Sequence, residues 1–136
     1  MSKKNIFFLY IFLLLLGSLS SFSLPPYNFI FINFITYSLF LYLIILFKEQ
    51  RVKLSSFFFL GFAFGYGYFA SSLYWVSHSL TFDKQLTFLI PVAIFGLPIL
   101  LAVFYGFAVI AIHSFIKRDY IFLLIFSISL SVFEYL

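Results

Sequence analysis

The stretch SSFFFLGFAFGYGYFASSLYWVS, residues 55–77, decides the fold because it is long, apolar and free of charged side chains. At about 1.5 Å per residue, a helix of this length spans roughly 34 Å. That exceeds the roughly 30 Å hydrocarbon core of a lipid bilayer. The stretch therefore predicts a membrane-spanning helix.

Apolar runs of the same kind fill most of the chain on either side of this stretch. The sequence is 65% hydrophobic and 9% charged, whereas soluble domains are usually about 45–50% apolar and about 25% charged. A fold of this size in water has too little interior to hide so much apolar surface. We therefore predict an all-α fold, a polytopic membrane bundle of about five transmembrane helices that forms one domain over residues 1–136. The spans are expected at about residues 6–24, 27–47, 55–77, 86–115 and 120–136.

Prolines mark two irregular points in this pattern. Leu24-Pro25-Pro26 separates the first two runs and predicts a tight turn, because proline fixes its own φ, lacks an N–H and restricts the preceding residue. Pro91 and Pro98 lie in the first half of the fourth run. Pro91 fits the first turn of a helix, whereas Pro98 predicts a kink or a break.

The first apolar run has two interpretations. Lys3 and Lys4 precede it, and the small residues Ser18 and Ser20 lie near its end, which is the pattern of a cleaved signal peptide. The same run also suits an uncleaved first helix. We favour the uncleaved helix because four further spans follow and need no separate export signal.

Lysine and arginine are distributed unevenly among the connections between the runs. Two precede the first run, none follows it, three follow the second, one follows the third and two follow the fourth. Under the positive-inside rule this alternation places the N-terminus and the loops at 48–53 and 117–119 in the cytoplasm. The Pro25-Pro26 turn and the 78–85 loop then face outward.

The last run is shorter than the others. Its 17 residues, 120–136, form roughly 25 Å of helix, which is less than the hydrocarbon core requires. On this hydrophobic length we expect that the natural sequence continues beyond Leu136.

Small and aromatic residues in the third run are the most distinctive feature. Gly61 and Gly65 share one helical face and, with Gly67, predict close approach of another helix. The alternative interpretation is that the missing side chains form a groove that binds a ligand. Tyr74 and Trp75 fall at the outer end of this span, where an aromatic belt is typical. Their functional interpretation is a lipid-facing rim beside an active site.

Ionisable residues give few signs of chemistry. The chain has no cysteine and two histidines, His78 and His113, which lie at opposite membrane faces in the predicted topology. We expect no catalytic set, metal site or cofactor, because the sequence has no paired carboxylates, phosphate loop or metal-ligand spacing. We expect no nucleic-acid partner, because the charges form short clusters rather than a stripe. Glu134 is the acidic residue within an apolar run, and it is a functional candidate because burial of an unpaired charge is costly. Hydration at the outer interface is the alternative.

The order of these motifs resembles the membrane part of apolipoprotein N-acyltransferases. Phe59–Phe69 and Ser72–Val76 are similar to that family's glycine-rich third segment and the aromatic pair after it. Leu24–Tyr27 resembles its first proline turn, Pro98–Ala102 its fourth segment, and Ser131–Leu136 the start of its Glu-Trp-Leu-Arg-Gly type motif. The resemblance covers the chain in order, and the family's cytoplasmic N-terminus agrees with the charge count.

The resemblance implies an enzyme of the bacterial cytoplasmic (inner) membrane, multi-pass with a cytoplasmic N-terminus. Such enzymes transfer a fatty acyl chain from a phospholipid to the N-terminal cysteine amine of a lipoprotein, through a thioester on an enzyme cysteine. Their glutamate, lysine and cysteine belong to a nitrilase-like domain that follows the helices. Since this chain contains no cysteine, the resemblance assigns it no catalytic residue, and membrane lipid is its direct surrounding.

A second hypothesis is a small, complete membrane protein that serves as a transporter subunit or a scaffold. Transport predicts polar residues at the membrane midplane and paired repeats. The sequence has no visible repeat and no charged residue at the midplane, which disfavours transport, whereas a scaffold role stays open as the alternative to the acyltransferase interpretation.

Overall fold

The described part of the chain is a bundle of helices in which consecutive α-helices run in opposite directions. The computed structural model describes residues 3–49, 53–74, 80–82 and 87–113. Within these residues it has no strand, which confirms the all-α class. Its α-helices are α1 (Lys3–Ser20), α2 (Phe31–Glu49), α3 (Leu54–Ser72) and α4 (Leu97–His113).

Among the described residues, three helical stretches are long and apolar enough to cross a membrane: Ile6–Ser23, Leu54–Ser72 and Val92–Ile112. Phe31–Phe47 is a shorter apolar helix. The span expected at 120–136 lies outside the described residues, so the number five stays a prediction.

The helix α3 is at the centre of the described bundle and packs against both α1 and α4. Contacts fix the directions of the helices. Tyr10 of α1 meets Phe59 of α3, and Ser18 of α1 meets Gly67 of α3, so these two helices run parallel. The side chain of Phe58 in α3 meets Phe107 of α4, and Gly65 meets Ala102, so α3 and α4 run in opposite directions.

Aromatic rings fill the space between α2, α3 and α4. The rings of Phe40 and Phe64 stack with centroids 4.2 Å apart, and Phe47 meets Phe57 edge to face nearer the other end. Each such pair contributes about 0.5–1.5 kcal/mol beyond its buried area. The buried core also includes Leu13, Leu16, Ile44, Leu60, Tyr105, Ala108, Val109 and Ile112.

The helix α2 begins at Phe31, four residues later than the expected start of the second span at Tyr27. The reason is the turn after Pro26. The backbone N–H groups of Tyr27 and Asn28 both donate to the carbonyl of Leu24, and Asn28 has a φ of 56°. A left-handed residue cannot belong to a right-handed helix, so the helix starts only after it.

The segment before α4 is helical but irregular. A π-helical turn, Val92–Gly96, leads into α4, and the N–H of Leu97 donates to the carbonyl of Val92, five residues back. Proline has no N–H for the usual bond to the residue four positions earlier. The irregularity predicted at Pro98 is therefore present as a wider turn within a helix rather than as a break.

Candidate functional site

An open cleft of about 790 Å³ lies where the connection between α1 and α2 meets the end of α3. We call it the turn cleft. One wall comes from the proline turn and the other from the last residues of α3. It is lined by Ser21, Leu24, Pro25, Pro26, Tyr27, Ser71, Ser72 and Tyr74.

Backbone hydrogen bonds hold the proline wall of the turn cleft in place. The N–H of Phe29 donates to the carbonyl of Phe22 over 3.1 Å, and the N–H of Asn28 donates to the carbonyl of Leu24 over 3.1 Å. The rings of Phe22 and Tyr27 pack with centroids 5.0 Å apart. The wall is therefore a folded turn and not an extended linker.

The described lining of the turn cleft is mostly apolar, with serine and tyrosine hydroxyls among the apolar groups. None of its lining residues, all of which the structure describes, carries a charge. The hydroxyl of Ser21 donates to the carbonyl of Ser18 over 2.7 Å, and that of Ser72 donates to the carbonyl of Phe69 over 3.4 Å. Each oxygen keeps acceptor capacity after donating its proton, so the cleft presents hydroxyl oxygens beside proline and tyrosine rings.

The turn cleft is at the opposite end of the bundle from the basic residues near the helix termini. Lys3 begins α1, Lys48 lies in the last turn of α2, and Lys53 directly precedes α3. The antiparallel arrangement brings these three positions to one end of the bundle. The proline turn and the end of α3 are at the other.

Two of the glycines singled out in the sequence lie against α4. A Cβ added to Gly65 would be 2.8 Å from the Cβ of Tyr105, and one added to Gly61 would be 2.8 Å from Cγ2 of Val109 and would also meet the carbonyl oxygen of Tyr105. Both distances are shorter than real Cβ atoms tolerate. The missing side chains let α3 and α4 approach closely.

Gly67 faces a different helix, which the sequence did not indicate. A Cβ on Gly67 would meet the carbonyl oxygen of Leu14 in α1, and a Cβ on Gly17 in α1 would meet the carbonyl oxygen of Phe64 in α3. Gly17 was not singled out in the sequence. The signal that could have identified it is its position beside the small residues Ser18 and Ser20. The Ser18 hydroxyl, 3.2 Å from the carbonyl of Gly67, adds an interhelical hydrogen bond at the same contact.

A buried hydroxyl pair joins α1 to α2 just below the turn cleft. The hydroxyl of Ser20 donates to Oγ1 of Thr36 over 2.6 Å, and Thr36 in turn donates to the carbonyl of Ile32 over 3.0 Å. Ser23 follows with a bond to the carbonyl of Ser20 over 2.8 Å. Such bonds connect membrane helices that have little hydrophobic reason to associate in lipid.

Of the other residues singled out in the sequence, some line the turn cleft and others lie outside the described residues. Tyr74 lines the turn cleft and is 60% exposed, and Ser72 also lines the cleft. Trp75, His78 and Glu134 lie outside the described residues. The described part of the chain contains no group of three or more residues suited to hold a metal ion.

Comparisons with known proteins agree with one another. The family model of the apolipoprotein N-acyltransferase N-terminal domain matches residues 16–136. The chain is 36% identical over 99 residues to an apolipoprotein N-acyltransferase of Rhizobium etli, covering 68% of this chain and 18% of the relative. It is 36% identical over 124 residues to the protein of that name from Rickettsia prowazekii, covering 90% of this chain and 24% of the relative.

A third relative, from Rhodopseudomonas palustris and of the same name, is 32% identical over 127 residues, which cover 90% of this chain and 23% of the relative. The chain therefore spans about a fifth of the length of the curated relatives it matches. No solved structure matches it.

Proposed function

The chain belongs to the apolipoprotein N-acyltransferase family, and on that basis we propose that it is the membrane-embedded portion of an enzyme that acylates bacterial lipoproteins. The observation that carries the proposal is the match of the family's N-terminal domain to residues 16–136, on a helix bundle of the expected kind. The donor would be a phospholipid, and the acceptor the N-terminal cysteine amine of a lipoprotein.

The chemistry of transfer would belong to residues that this chain does not contain. A thioester route needs a cysteine nucleophile activated by a neighbouring base, and the sequence has no cysteine. The role proposed for residues 1–136 is to anchor the catalytic domain and to offer membrane lipids a path to it.

We place the protein in the cytoplasmic (inner) membrane with its N-terminus in the cytoplasm. The support is the end-to-end charge difference, since the lysines near the ends of the described helices lie opposite the turn cleft. Cytoplasmic loops carry an excess of lysine and arginine. The turn cleft then opens at the outer face, where lipoproteins become available after export.

Individual residues have proposed roles within this frame. Gly61, Gly65 and Gly67 would set the helix spacing, since they lie at close contacts of α3 with α4 and α1. Tyr74 and Trp75 would form a rim at the headgroup level. Glu134 would orient the bundle or contact substrate, as an ionisable group in an apolar run is costly without a function.

A chimeric enzyme tests the proposal. Residues 16–136 would replace the matching segment of the Rickettsia prowazekii relative, which aligns over 124 residues, in a bacterium depleted of its own N-acyltransferase. Mass spectrometry of a lipoprotein's N-terminal peptide would then distinguish triacylated from diacylated cysteine. We expect triacylation with the chimera and none with the relative lacking its membrane segment. A chimera that reaches the membrane yet leaves the peptide diacylated would contradict the proposal.

A further inference from the structure

In the proposed topology the turn cleft falls at the depth where a bilayer changes from hydrocarbon to headgroups. Its two walls start where the apolar stretches Ile6–Ser23 and Leu54–Ser72 end. Tyr27 and Tyr74, which line it, are more than half exposed, and tyrosine favours this boundary because its ring is apolar and its hydroxyl is polar. Any occupant of the cleft therefore belongs to the interfacial zone of the membrane.

The lining limits the chemistry of the occupant. Among the lining residues that the structure describes, none offers a cation to pair with a phosphate or a carboxylate to pair with an ammonium group. Charged ligand groups are usually bound by charged or bidentate partners. What the cleft offers is hydroxyl groups among proline, leucine and tyrosine. This combination suits an uncharged polar group attached to apolar chains.

Ser71 supplies a hydrogen-bond donor to the cleft. Its side chain is exposed, and it makes no hydrogen bond to another residue in the described part of the chain. The protons of Ser21 and Ser72 are instead donated to backbone carbonyls. An ester carbonyl accepts hydrogen bonds and cannot donate one, so Ser71 is the lining serine that matches it.

We infer that the turn cleft binds the acyl-ester region of a diacyl glycerolipid, with the hydroxyl of Ser71 donating to an ester carbonyl oxygen. A volume of about 790 Å³ lies within the range of small-ligand sites, roughly 300–1,000 Å³. The inference rests on the proposed function, because it names the part of the lipid donor that the membrane portion holds. The inference does not predict that the cleft prefers lipids with charged or uncharged headgroups.

Photo-crosslinking in membranes of defined composition tests this inference. The full-length protein would carry the photo-crosslinking residue benzoylphenylalanine in place of Tyr27, which lines the cleft. The control protein would carry it in place of Phe8, which is 67% exposed on α1. Vesicles would contain equal amounts of diester and diether phosphatidylethanolamine, and mass spectrometry would identify the attached lipid. The ether lipid has the same headgroup but lacks the ester carbonyl.

We expect the ester lipid to exceed the ether lipid by about threefold to tenfold at position 27, the range that one hydrogen bond supports, and the two to be equal at position 8. Ser71→Ala should bring the ratio at position 27 close to one. Ser38→Ala, which removes an exposed hydroxyl on α2 outside the cleft, should leave it unchanged.

Equal labelling by the two lipids at position 27 would overturn the inference, as would an ester preference that survives Ser71→Ala. Crosslinking of position 27 to polypeptide instead of lipid would overturn it too, because the cleft would then be covered by protein. These outcomes are separate from the chimera experiment. Acyl transfer by the chimera without ester preference in the cleft would leave the proposed function intact.

Discussion

The phenolic oxygens of Tyr37 and Tyr105 lie 3.0 Å apart, although 68 positions separate the two residues in the sequence. This bond connects α2 with α4 across the face of α3. The ring of Tyr105 is 99% buried and meets Phe69 edge to face at 5.5 Å, and its main chain lies against Gly61. From α4, Tyr105 therefore contacts both α2 and α3.

Replacing Tyr105 by phenylalanine removes the hydroxyl and keeps the ring. We expect a loss of about 0.6–1 kcal/mol in unfolding free energy, which is the usual size of a hydrogen bond between membrane helices. Replacing it by alanine should cost about 3–5 kcal/mol, because a large cavity would remain. Unfolding in mixed detergent micelles would measure both.

Tyr42→Phe is the matched control for Tyr105→Phe, since Tyr42 is 58% exposed on α2. It should change the unfolding free energy by less than about 0.5 kcal/mol. Equal effects of the two substitutions would show that the Tyr37–Tyr105 bond contributes nothing.

The glycine contact between α1 and α3 predicts a second sensitive position. Gly67→Ala places a methyl group against the backbone carbonyl of Leu14, and backbone moves less readily than the end of a side chain. We expect a destabilisation of about 1–3 kcal/mol, as for other overpacked contacts. Thermal unfolding in detergent would measure it.

Gly96→Ala is the control for this prediction. A Cβ at Gly96 would lie 3.2 Å from Cγ1 of Val92, a side-chain atom on the preceding turn, which can move by a few tenths of an ångström. A protein that tolerates alanine at 67 as well as at 96 would have α1 and α3 further apart than described.

The Ser20–Thr36 pair predicts energetic coupling between α1 and α2. Ser20→Ala, Thr36→Val and the double variant form a thermodynamic cycle. We expect a coupling of about 0.5–1.5 kcal/mol, in the upper part of the range for such pairs in membranes, because both groups are buried and 2.6 Å apart. The same cycle built from Ser20→Ala and Ser38→Ala should give zero coupling. A zero value for Ser20 and Thr36 would contradict the described contact.

Retention of the first helix is a further expected outcome. Leu13 and Leu16 belong to the buried core, and the small residues Ser18 and Ser20 are engaged with α3 and α2. Cleavage after these serines would remove core residues and both hydrogen bonds. An epitope tag placed at the N-terminus should therefore stay on the membrane-bound protein in immunoblots. A tagged peptide released from an untagged, stable remainder would favour the signal-peptide interpretation.

The sequence predicted the helices better than it predicted their partners. The apolar runs and the turn at Leu24-Pro25-Pro26 follow from hydropathy and from the chemistry of proline, which are local properties. The start of α2 depends on the left-handed conformation of Asn28, which no periodicity reveals. Local sequence therefore predicted element type and approximate position, but it placed the start of α2 four residues too early.

The contacts of the candidate site were only partly predictable. The spacing of Gly61 and Gly65 placed both on one face, but which helix meets that face depends on tertiary packing. Gly67 faces α1 instead, since two residues correspond to more than half a helical turn. Pairs such as Tyr37 with Tyr105 join distant parts of the chain, and a single sequence carries no information on such pairing.

The proposed protein is a multi-pass bundle whose basic ends lie in the cytoplasm and whose turn cleft faces outward. Because the sequence contains no cysteine, single cysteines at positions 50, 82 and 118 can be probed with a membrane-impermeant maleimide on spheroplasts. We predict labelling of Phe82→Cys in intact spheroplasts, and labelling of Gln50→Cys and Arg118→Cys only after lysis. The reverse pattern, or labelling of all three before lysis, would contradict the topology and the placement of the turn cleft at the outer face.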